Sequence, residues 1–521
     1  MRSRSLIGVG SAVALLGLGA TGLAIAGQSA EGPPAFVPVG SYATGLGGSG
    51  ETVAYARDRM YVTNASDNSF DVVDVSDPSA PQRTARISLA AWGASPNSVD
   101  VRGGLVAVAL QAAPATAPGK VVFFDADGDY RAEVTVGSLP DMLAFTPDGT
   151  SVVVANEGEP SSYNQPDSVD PEGTVSIIDV RKSDRRHWTP VVRNVRFTAF
   201  NAGGSRAGEL PAGIRLNGPN ASVAQDVEPE YVSFHKSTAY VTLQENNALA
   251  VIDLDRARVT KLVPLGTKDH SVAGAGLDAS DRDNAINIRP WPVNGLFMPD
   301  AIASFKARGT RYLITANEGD GRDYTGFQDE RRVSALTLAM PDAATLRTNP
   351  NLGRLTVSAT DGRNAAGAHE ALYSFGTRSA TIWNAATGQR VWDSGDLFEQ
   401  MTAAAQPAFF NVGNEDNTRD SRSDNKGPEP EGVTTGKIDG RTYAFVGLER
   451  IGGFIVLDVT DPAAPSFVQW ANNRDYTRAD FGPDSGPEVV RFVPAHRSPS
   501  GRPTVIVANE ISGTVTLYET P

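Results

Sequence analysis

The chain has 521 residues, 40% of them hydrophobic, with 52 glycines, 34 prolines and no cysteine. Lack of cysteine excludes disulfides, thiolate metal sites and cysteine catalysis, and the Gly and Pro content favours short strands and many turns over long helices. A formal charge of −14 argues against nucleic acid as a partner, because phosphate binding needs a basic surface, and suits cationic ligands or metal ions.

The first 30 residues read as a signal peptide. Arg2 and Arg4 form a short positive region, residues 6–26 are apolar and uncharged, and Ala24-Ile25-Ala26 and Gln28-Ser29-Ala30 offer small residues for cleavage. An uncleaved N-terminal anchor is the alternative; no other segment is apolar enough to cross a bilayer. The expected protein is therefore secreted and bacterial, with one domain over residues 31–521.

That domain is a repeat. An apolar strand ending in a polar pair is followed by an alternating strand, at 60–64 with 70–75, 105–110 with 120–125, 152–157 with 174–180, and 239–245 with 248–254. The pattern continues at 312–318 with 332–338, 371–375 with 380–384 (the weakest copy), 443–449 with 453–459, and 504–510 with 514–518. An earlier strand precedes many copies, as at 51–55, 141–145, 230–234, 300–305 and 488–492, and a later one follows some, as at 82–89 and 130–136. We call these strands a to d. Four antiparallel strands per unit, repeated radially, predict an all-β closed β-propeller of seven or eight four-stranded blades. The last unit lacks a d strand, and residues 36–42 are expected to supply it, closing the ring and hiding its edges.

The element YVTN at 61–64 resembles the YVTN β-propeller repeat. The run ITANEGDGRDY at 314–324, continuing to DERRV at 329–333, with ANEGE at 155–159, GPEPEG at 427–432 and LER at 448–450, resembles the choice-of-anchor I family. The resemblance spans roughly residues 37–520. It implies an extracellular, mostly bacterial protein with cell-surface glycoproteins among its animal relatives. Some bacterial members are described as alkaline phosphatases, but the resemblance carries over no catalytic residue.

Topology places the start of strand a, the end of strand b and the long b–c and d–a connections on one rim, the top. Long connections gathered on one face of a repeat array mark a binding face. Acids gather there too: Glu51, Asp141, Glu230, Asp300, Glu431 and Glu488 begin strands a, and Glu157, Glu245, Glu318, Glu449 and Glu510 end strands b. Strand a is innermost in a propeller, so these acids should converge on the mouth of the central channel and need cations, arginines or protons to coexist. The candidate metal ligands are Glu157, Glu230, Asp300, Glu318, Asp320, Glu431, Glu449, Glu488 and Glu510, with Ca²⁺ the first choice because it takes six to eight oxygens. The competing reading is that Pro-acid pairs start strands, Asn-Glu pairs end them, and arginines neutralise the acids.

Weaker signals point elsewhere. Asp125 to Asp129 imitates a calcium loop but reads better as an Asp-Gly hairpin. The histidines at 187, 235, 270, 369 and 496 lack the spacing of a zinc site. Trp291, Trp383 and Trp392 fit blade cores better than a sugar platform. No Gly-x-Ser-x-Gly elbow, P-loop or dinucleotide fingerprint is present. The leading expectation is a binding or scaffold propeller with a cation-binding top face and an unknown extracellular partner there. Two alternatives are a metal-dependent phosphoesterase, with Glu318, Asp320 and Glu431 as ligands and Arg322 as phosphate clamp, and a cell-surface adhesion module.

Overall fold

The computed structural model describes residues 33–181, 188–479 and 481–521. The expected signal peptide and His187 lie outside the described residues. From Ala35 to Pro521 the chain forms one compact unit built on seven four-stranded antiparallel sheets. The first runs Val53–Ala56, Arg59–Asn64, Ser69–Asp74, Gln82–Ser88, and the second Ser95–Arg102, Leu105–Gln111, Pro118–Asp125, Tyr130–Ser138. The third runs Pro140–Phe145, Ser151–Asn156, Thr174–Asp179, Val191–Arg196, and the fourth Pro229–His235, Thr238–Leu243, Ala248–Asp253, Arg258–Pro264. The fifth comprises Ile302–Ala307, Thr310–Ala316, Ala380–Asn384 and Arg390–Asp393, and the sixth Pro430–Ile438, Arg441–Leu448, Phe454–Asp458 and Ser466–Ala471. The seventh combines Pro487–Val493, Thr504–Asn509 and Thr514–Glu519 with the N-terminal strand Val37–Ala43.

Burial explains why the middle strands read as unbroken apolar runs. Thr504–Asn509 is buried at every position, and Ser69–Asp74 at all but its last, because each sheet is covered on both faces by its neighbours. The outer strand Gln82–Ser88 has no fully buried residue. Each sheet's a strand touches the next sheet's a strand in chain order, and Pro487–Val493 returns to touch Val53–Ala56 of the first sheet.

The N-terminal strand ties this return together. It pairs from Val37 opposite Glu519 to Ala43 opposite Thr514, with one register shift between Pro38 and Gly40. Phe36 packs edge-on against Phe445 of the sixth sheet at 5.3 Å, and Gln469 brackets its backbone with two hydrogen bonds of 2.7 and 2.8 Å. Tyr42 donates a 2.6 Å hydrogen bond to Asp71 of the first sheet. One strand thus binds the sixth, seventh and first sheets.

The fifth and sixth expected units are one sheet. Thr310–Ala316 pairs with Ala380–Asn384, and residues 317–379 between them are an insertion. Residues 332–338, expected as a c strand, lie in this insertion as the end of Glu330–Arg332 and a short 3-10 turn. Residues 371–375 hold only the two-residue strand Tyr373–Ser374, paired with Asn294–Leu296. The insertion, the 266–299 connection and the 407–429 connection interlock by Arg354–Asp281 at 2.9 Å and by Arg378 donating to the Asp278 and Ser423 carbonyls. Trp291, Leu336, Leu352 and Leu372 give this layer a small core of its own.

The minor readings resolve structurally. Asp125 Oδ1 accepts the amides of Asp127 and Asp129, and Gly128 takes φ +94°, as an Asp-Gly hairpin requires. Trp383 is buried against Phe297 and donates to Thr315, and Trp291 is buried and donates to the Leu277 carbonyl.

Candidate functional site

The inner strands carry a device that repeats from sheet to sheet. In the third, fourth, sixth and seventh sheets a proline opens strand a, in the second Pro96 is its second residue, and in all five the a–b register slips immediately after the proline. Such bulges at a rim re-aim side chains. The residue after each proline is Asn97, Asp141, Glu230, Glu431 or Glu488, and the register places Glu51 and Asp300 at the same position in the first and fifth sheets. Six carboxylates and one amide therefore share one position around the axis. An axial cavity of about 50 Å³ is lined by inner strands of six sheets, with Asn97, Asp141, Asp300 and Glu488 in its wall.

A second tier follows from the same register. The residue three beyond the b-strand partner of each a strand is Gln111, Glu157, Gln244, Glu318, Glu449 or Glu510 in sheets two to seven, and Ala65 in the first. The asparagines before three of these acids act structurally. Asn156 donates to Thr174 and Ser176, Asn317 to Thr377, Ser379 and Thr381, and Asn509 to Thr514, so each fastens strand b to strand c or to the residues just before it.

The tiers differ in charge balance. Glu318 accepts from Lys426 at 2.7 Å and from Gln244 at 2.8 Å. Lys426 also reaches Asp320 at 3.2 Å and Glu429 at 3.5 Å, and Arg450 bridges Glu429 at 2.8 Å and Glu449 at 3.0 Å. One oxygen each from Glu318, Glu429 and Glu449 lie within 4.8 Å of one another, close enough to share an ion, but Lys426 and Arg450 already serve them. Burial would raise the Glu429 carboxyl, yet Lys426, Arg450 and Arg422 outweigh it and hold it down at about 2. Asp320 is the outlier, largely exposed, with Lys426 its only ion-pair partner among the described residues.

The first tier has no such partners: none of its six acids forms an ion pair among the described residues. Burial, then the charges of Glu510 and Asp141, push Glu51 up to about 8. Burial and Glu159 push Asp141 up to about 7. Burial followed by like charges drives Glu230, Asp300, Glu431 and Glu488 well above the carboxylate range, as it does Glu157 in the second tier and Glu245, the residue after Gln244. Asp300 lies beside Glu230 and Glu488 beside Glu431, so that a carboxyl protonated in one can be stabilised by its neighbour. Buried oxygens of Glu245, Glu228 and Glu431 have no hydrogen-bond partner. Glu510 is also raised by burial, against the pull of Arg450.

Arg322 is 1% exposed. It pairs with Glu228 at 3.1 Å and Asp226 at 3.3 Å and donates to the Asp226 carbonyl at 2.7 Å. Its guanidinium is occupied by the protein's own acids rather than turned to an open site.

The axis thus gathers Glu157, Glu230, Asp300, Glu431 and Glu488 from the expected ligands, with Glu318 and Glu449 in the cation-balanced tier. Sequence reasoning had placed Glu51, Asp141 and Glu245 at this rim as well. It missed Asn97 as the seventh member, and it missed Glu228, Glu429 and Lys426. The slipped register after these prolines was the available signal for Asn97, and the repeated Glu-Pro-Glu at 228–230 and 429–431 was one for Glu228 and Glu429; Lys426 sits in a connection without periodicity.

Repeated four-stranded sheets around a carboxylate-lined axis define an all-β repeat protein with an axial acidic site. The choice-of-anchor I domain matches residues 51–462, and the chain belongs to that family. It is similar to gigasin-3a of Magallana gigas, 33% identical over 181 residues covering 32% of this chain and 64% of that protein. It is also similar to the mesenchyme-specific cell surface glycoprotein of Strongylocentrotus purpuratus, 28% identical over 318 residues covering 52% of this chain and 40% of that protein. The chain thus spans less than two thirds of the length of these curated relatives. Among solved structures, Kuenenia stuttgartiensis hydrazine synthase aligns at TM-score 0.45 and 13% identity over 92% of this chain and 97% of its own. The β-propeller domain of Myceliophteria thermophila Cps50 (Swd1) aligns at 0.42 and 9% over 94% and 100%. No helix among the described residues is long and apolar enough to cross a membrane.

Proposed function

We propose that this chain is a closed seven-bladed propeller acting as an extracellular binding or scaffold protein, with divalent cations, Ca²⁺ first, held in the acidic mouth of its axis. Family membership and the cell-surface name of one relative support the extracellular reading. The observation that carries the cation reading is the first tier, where six of seven sheets present a carboxylate at one position without an ion pair. Mutually repelling buried carboxylates can be relieved by protons or by a cation, and a hard cation of high coordination number suits an all-oxygen set. The orphaned oxygens of Glu245 and Glu431 fit that role. Glu230, Asp300, Glu431 and Glu488 are the first-choice ligands. Because Arg322 is held by Glu228 and Asp226, the reading moves away from a phosphoryl clamp at that residue.

Equilibrium dialysis of chelator-stripped protein against Ca²⁺ at pH 8 tests this. Saturable uptake is expected, and Glu230→Gln with Asp300→Asn should weaken it by at least about tenfold, the order expected on losing two charged ligands. Absence of Ca²⁺ uptake by the unaltered chain would end the cation reading.

A further inference from the structure

Away from the axis, the top layer contains a pocket of opposite character. Its volume is about 280 Å³, and five of its ten lining residues are arginines, Arg282, Arg332, Arg354, Arg419 and Arg422. Only two acids, Asp281 and Asp424, line it, leaving three positive charges in excess on the wall. The whole chain carries −14, so this concentration runs against the average of the molecule. The arginines come from three separate connections, 266–299, 317–379 and 407–429, and meet only because those connections fold over one another.

The two acids act as a frame. Arg354 spans them, with Nε 2.9 Å from Asp281 and Nη2 2.6 Å from Asp424, and Arg332 joins Asp424 at 3.0 Å. Arg422 is braced from behind by Glu429, through Nε at 3.0 Å. Guanidinium groups fixed in this way lose little freedom on meeting a ligand. The other two are unspent. Arg282 makes a single ion pair, Nε to Asp281 at 3.2 Å, and Arg419 makes no hydrogen bond or ion pair among the described residues. Both are exposed, so most of their N–H groups have no protein acceptor.

We infer that this pocket binds a tetrahedral oxyanion, the phosphate or sulfate group of a monoester on an extracellular ligand. Forked guanidinium donors match such groups by paired N–H···O bonds, and several converging arginines hold a doubly charged oxyanion more firmly than a chloride ion. The pocket has room for a sugar-sized substituent on that group. It shares no lining residue with the axial carboxylates, so it stands or falls apart from the Ca²⁺ reading.

The test is equilibrium dialysis of the full chain with radiolabelled inorganic phosphate and, separately, sulfate, at pH 7 and constant ionic strength in chloride. Saturable binding is expected, weakened at least about tenfold in the double variant Arg282→Ala, Arg419→Ala, since charge-assisted paired bonds carry the affinity. Neither arginine anchors the fold, and retention of the parent melting temperature by the variant checks that. The variant Arg57→Ala, in the turn between Val53–Ala56 and Arg59–Asn64 of the first sheet, should bind like the parent. Binding of both ions supports the shared chemistry, and binding of phosphate alone narrows the ligand to phosphate esters. No saturable binding, equal displacement by chloride at millimolar concentration, or undiminished binding in the double variant overturns the inference.

Discussion

Lys426 shows how much one side chain holds at this site. It is 5% exposed and contacts three carboxylates, those of Glu318, Asp320 and Glu429. Removing one partner from a buried ionic group strands the others without compensation, which costs about 3–5 kcal/mol. Lys426→Met should therefore lower the urea-unfolding free energy by that order at pH 7, with Ca²⁺ absent. An unchanged midpoint would mean that Arg450 and Arg422 suffice to balance the tier. The axial acids behave in the opposite sense. Glu230 and Asp300 repel their neighbours when ionised, so the amide substitutions that weaken Ca²⁺ uptake should raise, not lower, the melting temperature of stripped protein at pH 8. Scanning calorimetry checks this. A lower melting temperature would show that these carboxyls hold the sheets together by hydrogen bonding alone.

At the scale of the element, the repeated Pro-acid dipeptides made the axial acids legible. A proline at the head of a strand followed by a carboxylate, at 140–141, 229–230, 299–300, 430–431 and 487–488, survives as a local pattern because each sheet needs the same start. Asn97 broke the charge pattern while keeping the geometry, so only the register slip after Pro96 discloses it. The sheets were legible for the same local reason, except where residues 317–379 separate two paired strands. A long insertion destroys the spacing on which repeat detection depends, and residues 371–375 then imitate the start of a fresh unit. Glu228 and Glu429 share a Glu-Pro-Glu pattern at 228–230 and 429–431, whereas Lys426 had no signal, since connections bring residues together by tertiary contact rather than by period. The N-terminal strand is the element whose removal should matter most. Deleting residues 33–43 takes the pairing partner from Thr514–Glu519 and exposes an edge. The truncated chain should elute as aggregates in size-exclusion chromatography, whereas a monomer of parent stability would show that the remaining sheets close without it.

For the whole molecule the axial carboxyls make stability depend on pH. Groups whose folded pKa lies above the unfolded value favour the folded chain most when protonated. That contribution is complete below about pH 4, near the unfolded carboxyl values, and is lost as pH rises through the folded ones. Those are about 7 for Asp141 and Glu228 and about 8 for Glu51 and Glu449. Stripped protein should therefore melt lower at pH 8 than at pH 5, by at least about 5 °C given several such groups. Millimolar Ca²⁺ should raise the melting temperature more at pH 8 than at pH 5, because protons compete for the same oxygens. A melting temperature that climbs from pH 5 to pH 8 in chelator would contradict both the raised carboxyls and the site built from them.

The pairing of Val37–Ala43 with Thr514–Glu519 also sets an order in time. A ribosome makes the first of these strands some 470 residues before the second, using the positions at which they pair. Until the last strand emerges, the first has no sheet to join, and the return contact from the seventh sheet to the first cannot be locked. Synthesis can therefore build sheets one to six as it proceeds, but the seven sheets are tied into a single object only once Thr514–Glu519 has been made. An interrupted chain would expose two unmatched edges at once, one near each of its ends, which makes truncated products a natural substrate for quality control.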